Sequence, residues 1–258
     1  MIVKDSKIAR IGLIQGLVDG SLETFVFLWS PALRSLSASS PFGTLGLDEI
    51  GEPAYGLIFG AFMACAVLGG FVAPMLRTFI SNLLLHTKSA TLLQDEGVNP
   101  VPVNIICSLC YTISAALLLV PCVFTQDSPF AFSACLASFM VYEFIVGIYI
   151  PSGGVIRSIY MPTESMCSTI NILRVITNVA VAIGVYSTTF VSITVSFGAL
   201  SAMMLIAAAL QLSLIPDGEL KEISDVLFRQ TFCSSWMDGS VLLLTMEVLY
   251  AAFVHSSQ

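Results

Sequence analysis

Six apolar stretches, each close to the roughly 20 residues that a membrane-crossing helix needs, leave this chain few ways to fold. They run approximately over 11–33, 55–76, 103–124, 129–150, 164–188 and 191–214. A helix rising about 1.5 Å per residue over such a stretch spans the hydrocarbon of a bilayer, about 30 Å thick. Hydrophobic residues make up 56% of the sequence and charged ones 10%, with a mean hydropathy of +0.91. A water-soluble surface cannot be assembled from that, so lipid has to act as the solvent. The expected fold is an all-α integral membrane protein. A bundle of six transmembrane helices would occupy 1–216, and 217–258 would form a cytoplasmic tail.

Two segments test this division. The N-terminus has a basic start but leads into a long span that contains acids and lacks a small-residue cleavage site, so it reads as a first helix and not a signal peptide. In the tail, Val241–Val254 is apolar but only 14 residues long and carries Glu247. That is too short to span and suits an interfacial helix or a docking segment, with a seventh span as the alternative.

Translocated short loops are depleted in Lys and Arg. With both termini in the cytoplasm, Lys4, Lys7, Arg10, Arg77, Lys88, Arg157, Lys221 and Arg229 fall inside, Arg34 outside and Arg174 within a span. The eight-to-one bias favours that orientation of a multi-pass protein, with the plasma membrane as the expected location. The net charge is -7, and five of the acidic residues, Asp217, Glu219, Glu222, Asp225 and Asp238, lie in the C-terminal stretch and read as a solvated tail. No Lys and Arg run with interleaved aromatics exists, which excludes a nucleic-acid partner.

Catalysis and metal binding find little support. Six of the seven cysteines lie in apolar segments, where Cys behaves as a small hydrophobe, and the pair Cys107 and Cys110 lacks the second ligand pair that zinc requires. His86 and His255 are lone histidines in a loop and the tail. No acid, base and nucleophile come together, so neither an enzyme nor a cofactor is expected. Gly12, Gly16 and Gly20 in the first span, and Gly56, Gly60 and Ala64 in the second, recur every four residues. Such stripes let helix backbones approach closely in lipid, and they are expected to hold the bundle together.

An ionisable residue at the bilayer centre costs at least about 2.5 kcal/mol, so each needs a partner or a role. Gln15, Asp19 and Glu23 stack on one face of the first span, with the two acids roughly 12 and 18 Å deep. Two carboxylates so close repel each other in a low dielectric unless one is protonated or a cation lies nearby. Arg174 in the fifth span is the expected cation, flanked on its own face by Asn171 and Asn178. Its planar fork of donors suits an oxyanion. The alternative is an internal ion pair with Asp19 or Glu23 that only locks two helices. Glu143 in the fourth span is either a proton site or the partner of Arg157 or Arg77.

The run IQGLVDGSLETFVFLWSPAL (14–33) resembles the molybdate-anion transporter family of the major facilitator superfamily. AYGLIFGAFMACAVLGG (54–70) is similar to that family's next helix. The most specific match runs from Glu143 through GIYIPSGGVIRSIYMPTES (147–165) to NILRVITN (171–178), and in all it covers about 210 of the 258 residues. On this resemblance Glu143, Asn171 and Arg174 fall on motif positions. So do Pro151, Ser152, Arg157, Pro162 and Glu164, which form a cytoplasmic loop motif. Asp19 stands where the family usually has Glu, and Ile176 replaces a Pro that commonly follows R-V.

The resemblance implies the last six helices of a twelve-span fold that transports molybdate or a related oxyanion by alternating access. It also implies a second six-helix half as partner, because such transporters hold substrate between two halves. The readings outside it are a half-length membrane protein that associates with or regulates a transporter, and a transporter of a different small solute.

Overall fold

Each apolar run is largely helical in the computed structural model, which describes residues 6–38, 40–41, 44–87, 100–124, 128–160, 166–187 and 190–216. The chain divides into two units, 1–214 and 215–258, and only Ile215 and Pro216 of the second are described. The expected interfacial helix at 241–254, together with His255, Pro162 and Glu164, therefore lies outside the described residues.

The order is α1 (Ser6–Ser37), α2 (Tyr55–Thr87), α3 (Val101–Leu118), the short α4 (Val120–Val123), α5 (Ala131–Tyr160), α6 (Met166–Ser187) and α7 (Ile193–Leu212). Among the described residues the one departure from helix and turn is an isolated bridge between Leu47 and Pro53 in the α1–α2 loop. There Gly46 and Gly51 take positive φ, and the Asp48 carboxylate accepts the backbone N–H groups of Ile50 and Glu52. Five helical segments are long and apolar enough to cross a membrane: α1, α2, α3 continued by α4, α5 and α7. The 22-residue α6 has its apolar stretch only at Thr177–Tyr186, because Asn171 and Arg174 occupy its first half.

Two helices outrun their sequence limits. α2 continues past Arg77 to Thr87, into what reads as a polar loop. α5 does not stop before Pro151 but continues for another ten residues to Tyr160. The loop motif of Pro151, Ser152 and Arg157 is thus helical, which corrects the expectation of a cytoplasmic loop. Proline removes one backbone donor and usually ends a helix, but a neighbouring helix can accommodate the released group. Here the carbonyl of Gly147, four residues before Pro151, faces α2 beside Gly70, and Ser152 Oγ donates back to the Ile148 carbonyl at 2.8 Å.

That contact belongs to the most extensive helix pair, α2 on α5. A Cβ added to Gly69 would run into the Phe144 carbonyl, and one added to Gly147 into the Ala66 carbonyl. The first glycine stripe also packs: Gly16 lies against Thr177, and Gly20 against Met203 and Val181. The second does not, since Gly56 and Gly60 have nothing within 4 Å of an added Cβ. Gly69 and Gly147 do the work expected of those residues.

Aromatic side chains fill the half of the bundle farther from the N-terminus. Phe25 packs at ring-centroid distances of 4.7 Å on Tyr142 and 5.1 Å on Phe139, while Phe139 stacks on Phe197 at 5.5 Å and Trp29 meets Phe62 edge-on at 5.3 Å. Each such pair is worth about 0.5–1.5 kcal/mol beyond area burial. Together they join α1, α2, α5 and α7. The other half of the bundle is built differently.

Candidate substrate-binding site

A helix places residues three and four apart on one face, and α1 uses that spacing to turn Ile11, Gln15, Val18, Asp19, Leu22 and Glu23 toward one cavity of about 480 Å³. Arg157 and Tyr149 come from α5, Arg174 and Asn178 from α6, Tyr111 from α3 and Gln211 from α7. These residues lie in the first half of α1, the middle of α3 and α6 and the late parts of α5 and α7. The cavity therefore occupies the end of the bundle that carries the N-terminus, below the aromatic cluster.

Of the residues singled out from sequence, Asp19, Glu23, Arg174 and Asn178 meet here. Asn171 is exposed on α6 and is not among the lining residues. Glu143 is 5% exposed and also stands outside the lining, and among the described residues it pairs with neither Arg157 nor Arg77. Five polar residues that sequence reading did not assign to the cavity complete it: Arg157, Tyr111, Tyr149, Thr177 and Gln211. Arg157 was legible as a motif position only, because Pro151 reads as a helix end.

The polar geometry is particular. Gln15 Nε2 donates to Asp19 Oδ2 at 3.2 Å. Both Arg157 and Arg174 act electrostatically on Asp19, yet among the described residues neither makes an ion pair within 4 Å with Asp19 or Glu23. The internal lock between Arg174 and α1 is therefore not formed. Two guanidinium groups and two carboxylates balance in formal charge while keeping most of their hydrogen-bonding capacity for another occupant. Among the described residues an ion pair does form between Arg34 and Glu52 at 3.8 Å, exposed beside the α1–α2 loop and worth at most about 1 kcal/mol.

Gln211 is held from behind. It is 1% exposed and donates through Nε2 to Asn104 Oδ1 at 2.8 Å, and Asn104 Nδ2 reaches the Tyr160 hydroxyl at 3.5 Å. By contrast, among the described residues Gln15 Oε1 and the Tyr149 hydroxyl are buried without a partner within hydrogen-bond geometry. Among the described residues no cluster of His, Cys, Asp and Glu could hold a metal ion.

The model of a family described as sugar transporters with twelve transmembrane segments matches residues 1–140, more than half of the chain. The chain belongs to this family of the major facilitator superfamily. It is a multi-pass membrane protein by that membership and by its apolar helices. Among curated relatives, a molybdate-anion transporter of Xenopus tropicalis is 24% identical over 185 residues, covering 71% of this chain and 33% of the relative. One of Xenopus laevis is 23% identical over 183 residues, with the same coverage of 71% and 33%. The chain thus spans about a third of the length of these relatives. No solved structure matches it.

Proposed function

We propose that this chain forms one wall of an alternating-access transporter for a small oxyanion, molybdate or a close analogue, with Arg174 as an anion-holding residue. Six spans cross the bilayer in this reading, α6 being the sixth, since an Arg facing a polar cavity is the circumstance in which a membrane helix tolerates one. The observation that carries the proposal is the guanidinium of Arg174 in a cavity of about 480 Å³, with Asn178 beside it and no ion pair within 4 Å to the acids of α1. A guanidinium fork presents parallel donors to two oxygens of an oxyanion, and an Asn amide can satisfy a third. The names of the relatives support the same substrate class. Asp19 and Glu23 balance the site's charge between substrate loads.

Labelled-molybdate uptake by the complete protein in proteoliposomes tests the proposal. Arg174→Ala is expected to reduce uptake by at least about tenfold, the scale of one charged hydrogen bond. Wild-type uptake in Arg174→Ala would refute its role. Uptake of a sugar without uptake of molybdate would favour the different-solute reading, which the description of the family model supports.

A second reading is favoured by the open face of α2, where Gly56 and Gly60 have nothing within 4 Å of an added Cβ. In it the chain is a half-length membrane protein that associates with a transporter, and the open face bearing Gly56 and Gly60 meets that partner. Co-purification with a second six-helix protein, together with no uptake by this chain alone, would favour it.

A further inference from the structure

We propose that Arg157 is a second anion-holding residue, acting with Arg174 as a two-armed clamp on a tetrahedral dianion, and that Gly153 and Gly154 are the residues that position it. This rests on the oxyanion reading above. Arg157 lies in the last turn of α5, where an Arg would ordinarily face the helix's terminal carbonyls or extend its head to water. Instead its side chain folds back along α5 and lines the cavity. Its two terminal guanidinium nitrogens stand 3.9 and 3.8 Å from where a Cβ of Gly153 or Gly154 would sit. The bare backbone of that turn is the surface on which the guanidinium rests, and a larger side chain at either position would occupy it.

The arm is also uncommitted. Among the described residues Arg157 makes no ion pair within 4 Å, although it acts electrostatically on Asp19 in the same cavity. Arg174 is in the same condition on α6. A guanidinium binds two oxygens of an anion through parallel N–H groups. Two guanidiniums from two helices therefore match the four oxygens and two charges of a tetrahedral dianion. A planar monoanion such as nitrate offers three oxygens and one charge, which leaves one arm poorly matched.

Molybdate binding to the purified complete protein, by calorimetry, and labelled uptake in proteoliposomes test this together. Arg157→Gln is expected to weaken molybdate binding on the order of ten- to a hundredfold, with Arg157→Lys recovering part of the loss. Gly153→Leu, with Arg157 intact, is expected to raise the half-saturating concentration more than it lowers the maximal rate. In the wild type, tungstate and sulfate compete and nitrate does not, and Arg157→Gln narrows that difference. A purely structural Arg157 would show itself as a lowered melting temperature in Arg157→Gln and an unchanged half-saturating concentration in Gly153→Leu. That result, or wild-type affinity and selectivity in Arg157→Gln while Arg174→Ala loses binding, overturns the clamp alone. Absence of oxyanion binding by the wild type, with Arg174→Ala equally without effect, overturns the clamp and the oxyanion reading together.

Discussion

Gly147 is the residue with least room for change. A Cβ there would meet the Ala66 carbonyl of α2, and the reciprocal position, Gly69, would meet the Phe144 carbonyl. Backbone atoms cannot turn aside as a flexible side chain can, so Gly147→Ala must separate α2 from α5, at an overpacking cost of about 1–3 kcal/mol. Gly60→Ala meets nothing and should be neutral or slightly stabilising, since Gly in a helix interior is about 0.5–1 kcal/mol worse than Ala. Thermal unfolding in detergent checks the pair, and equal melting temperatures for the two variants would show that the α2–α5 approach does not limit stability. The comparison also marks what a sequence can disclose at this scale. Asp19, Glu23 and Arg174 were legible because an ionisable side chain inside a span has almost nowhere to go but a shared polar cavity. The tight glycines were not, because spacing by four identifies a face without saying what lies against it: Gly56 and Gly60 look out, whereas Gly69 and Gly147 meet backbone carbonyls of the facing helix.

At the scale of elements, α3 and α7 are joined by polar side chains inside an apolar environment. Ser201 Oγ donates to the Ala115 carbonyl at 2.8 Å, Ser108 Oγ to the Ala208 carbonyl at 3.2 Å, and Gln211 to Asn104 at 2.8 Å. Interhelical hydrogen bonds in membranes contribute about 0.6 kcal/mol on average and up to about 1.7. Asn104→Leu would cost more than the bond itself, because it strands the buried Gln211 amide. A loss of about 1–3 kcal/mol is expected, with the double replacement Asn104→Leu and Gln211→Leu recovering part of it in a stability cycle. If the double variant is as unstable as the sum of the singles, the two amides are not coupled. The element boundaries illustrate the same dependence on neighbours. The apolar runs located every long helix among the described residues, but α5 passes through Pro151 beside the close approach of α2 at Gly70, a tertiary contact that local propensity does not report. That extension carries Arg157 into the cavity, so the missed boundary and the missed site residue have one cause.

At the scale of the bundle, the aromatic cluster and the polar cavity separate apolar packing from charged and polar lining. Phe25, Phe139 and Phe197 consolidate the end remote from the N-terminus, and the charged residues gather at the other. This division constrains the electrostatics of any anion that enters. Asp19 and Glu23 of α1 already offset Arg157 of α5 and Arg174 of α6, while the other polar lining groups, Gln15, Tyr111, Tyr149, Thr177, Asn178 and Gln211, are uncharged amides and hydroxyls. A dianion would leave two uncompensated negative charges in a medium of low dielectric, where such an excess is costly. Protons are the smallest available compensation, and Asp19 is the acid expected to accept them. Binding of the dianion and protonation of Asp19 must then favour one another, because linkage between two ligands is reciprocal. Uptake measured at fixed membrane potential is accordingly expected to rise as the pH of the substrate-loading side falls. In Asp19→Asn, which is neutral at every pH, that rise should become shallower. A pH profile that is flat in the wild type, or equally steep in Asp19→Asn, would separate charge compensation from this carboxylate and leave Asp19 with the one role its contacts already display, fixing the amide of Gln15.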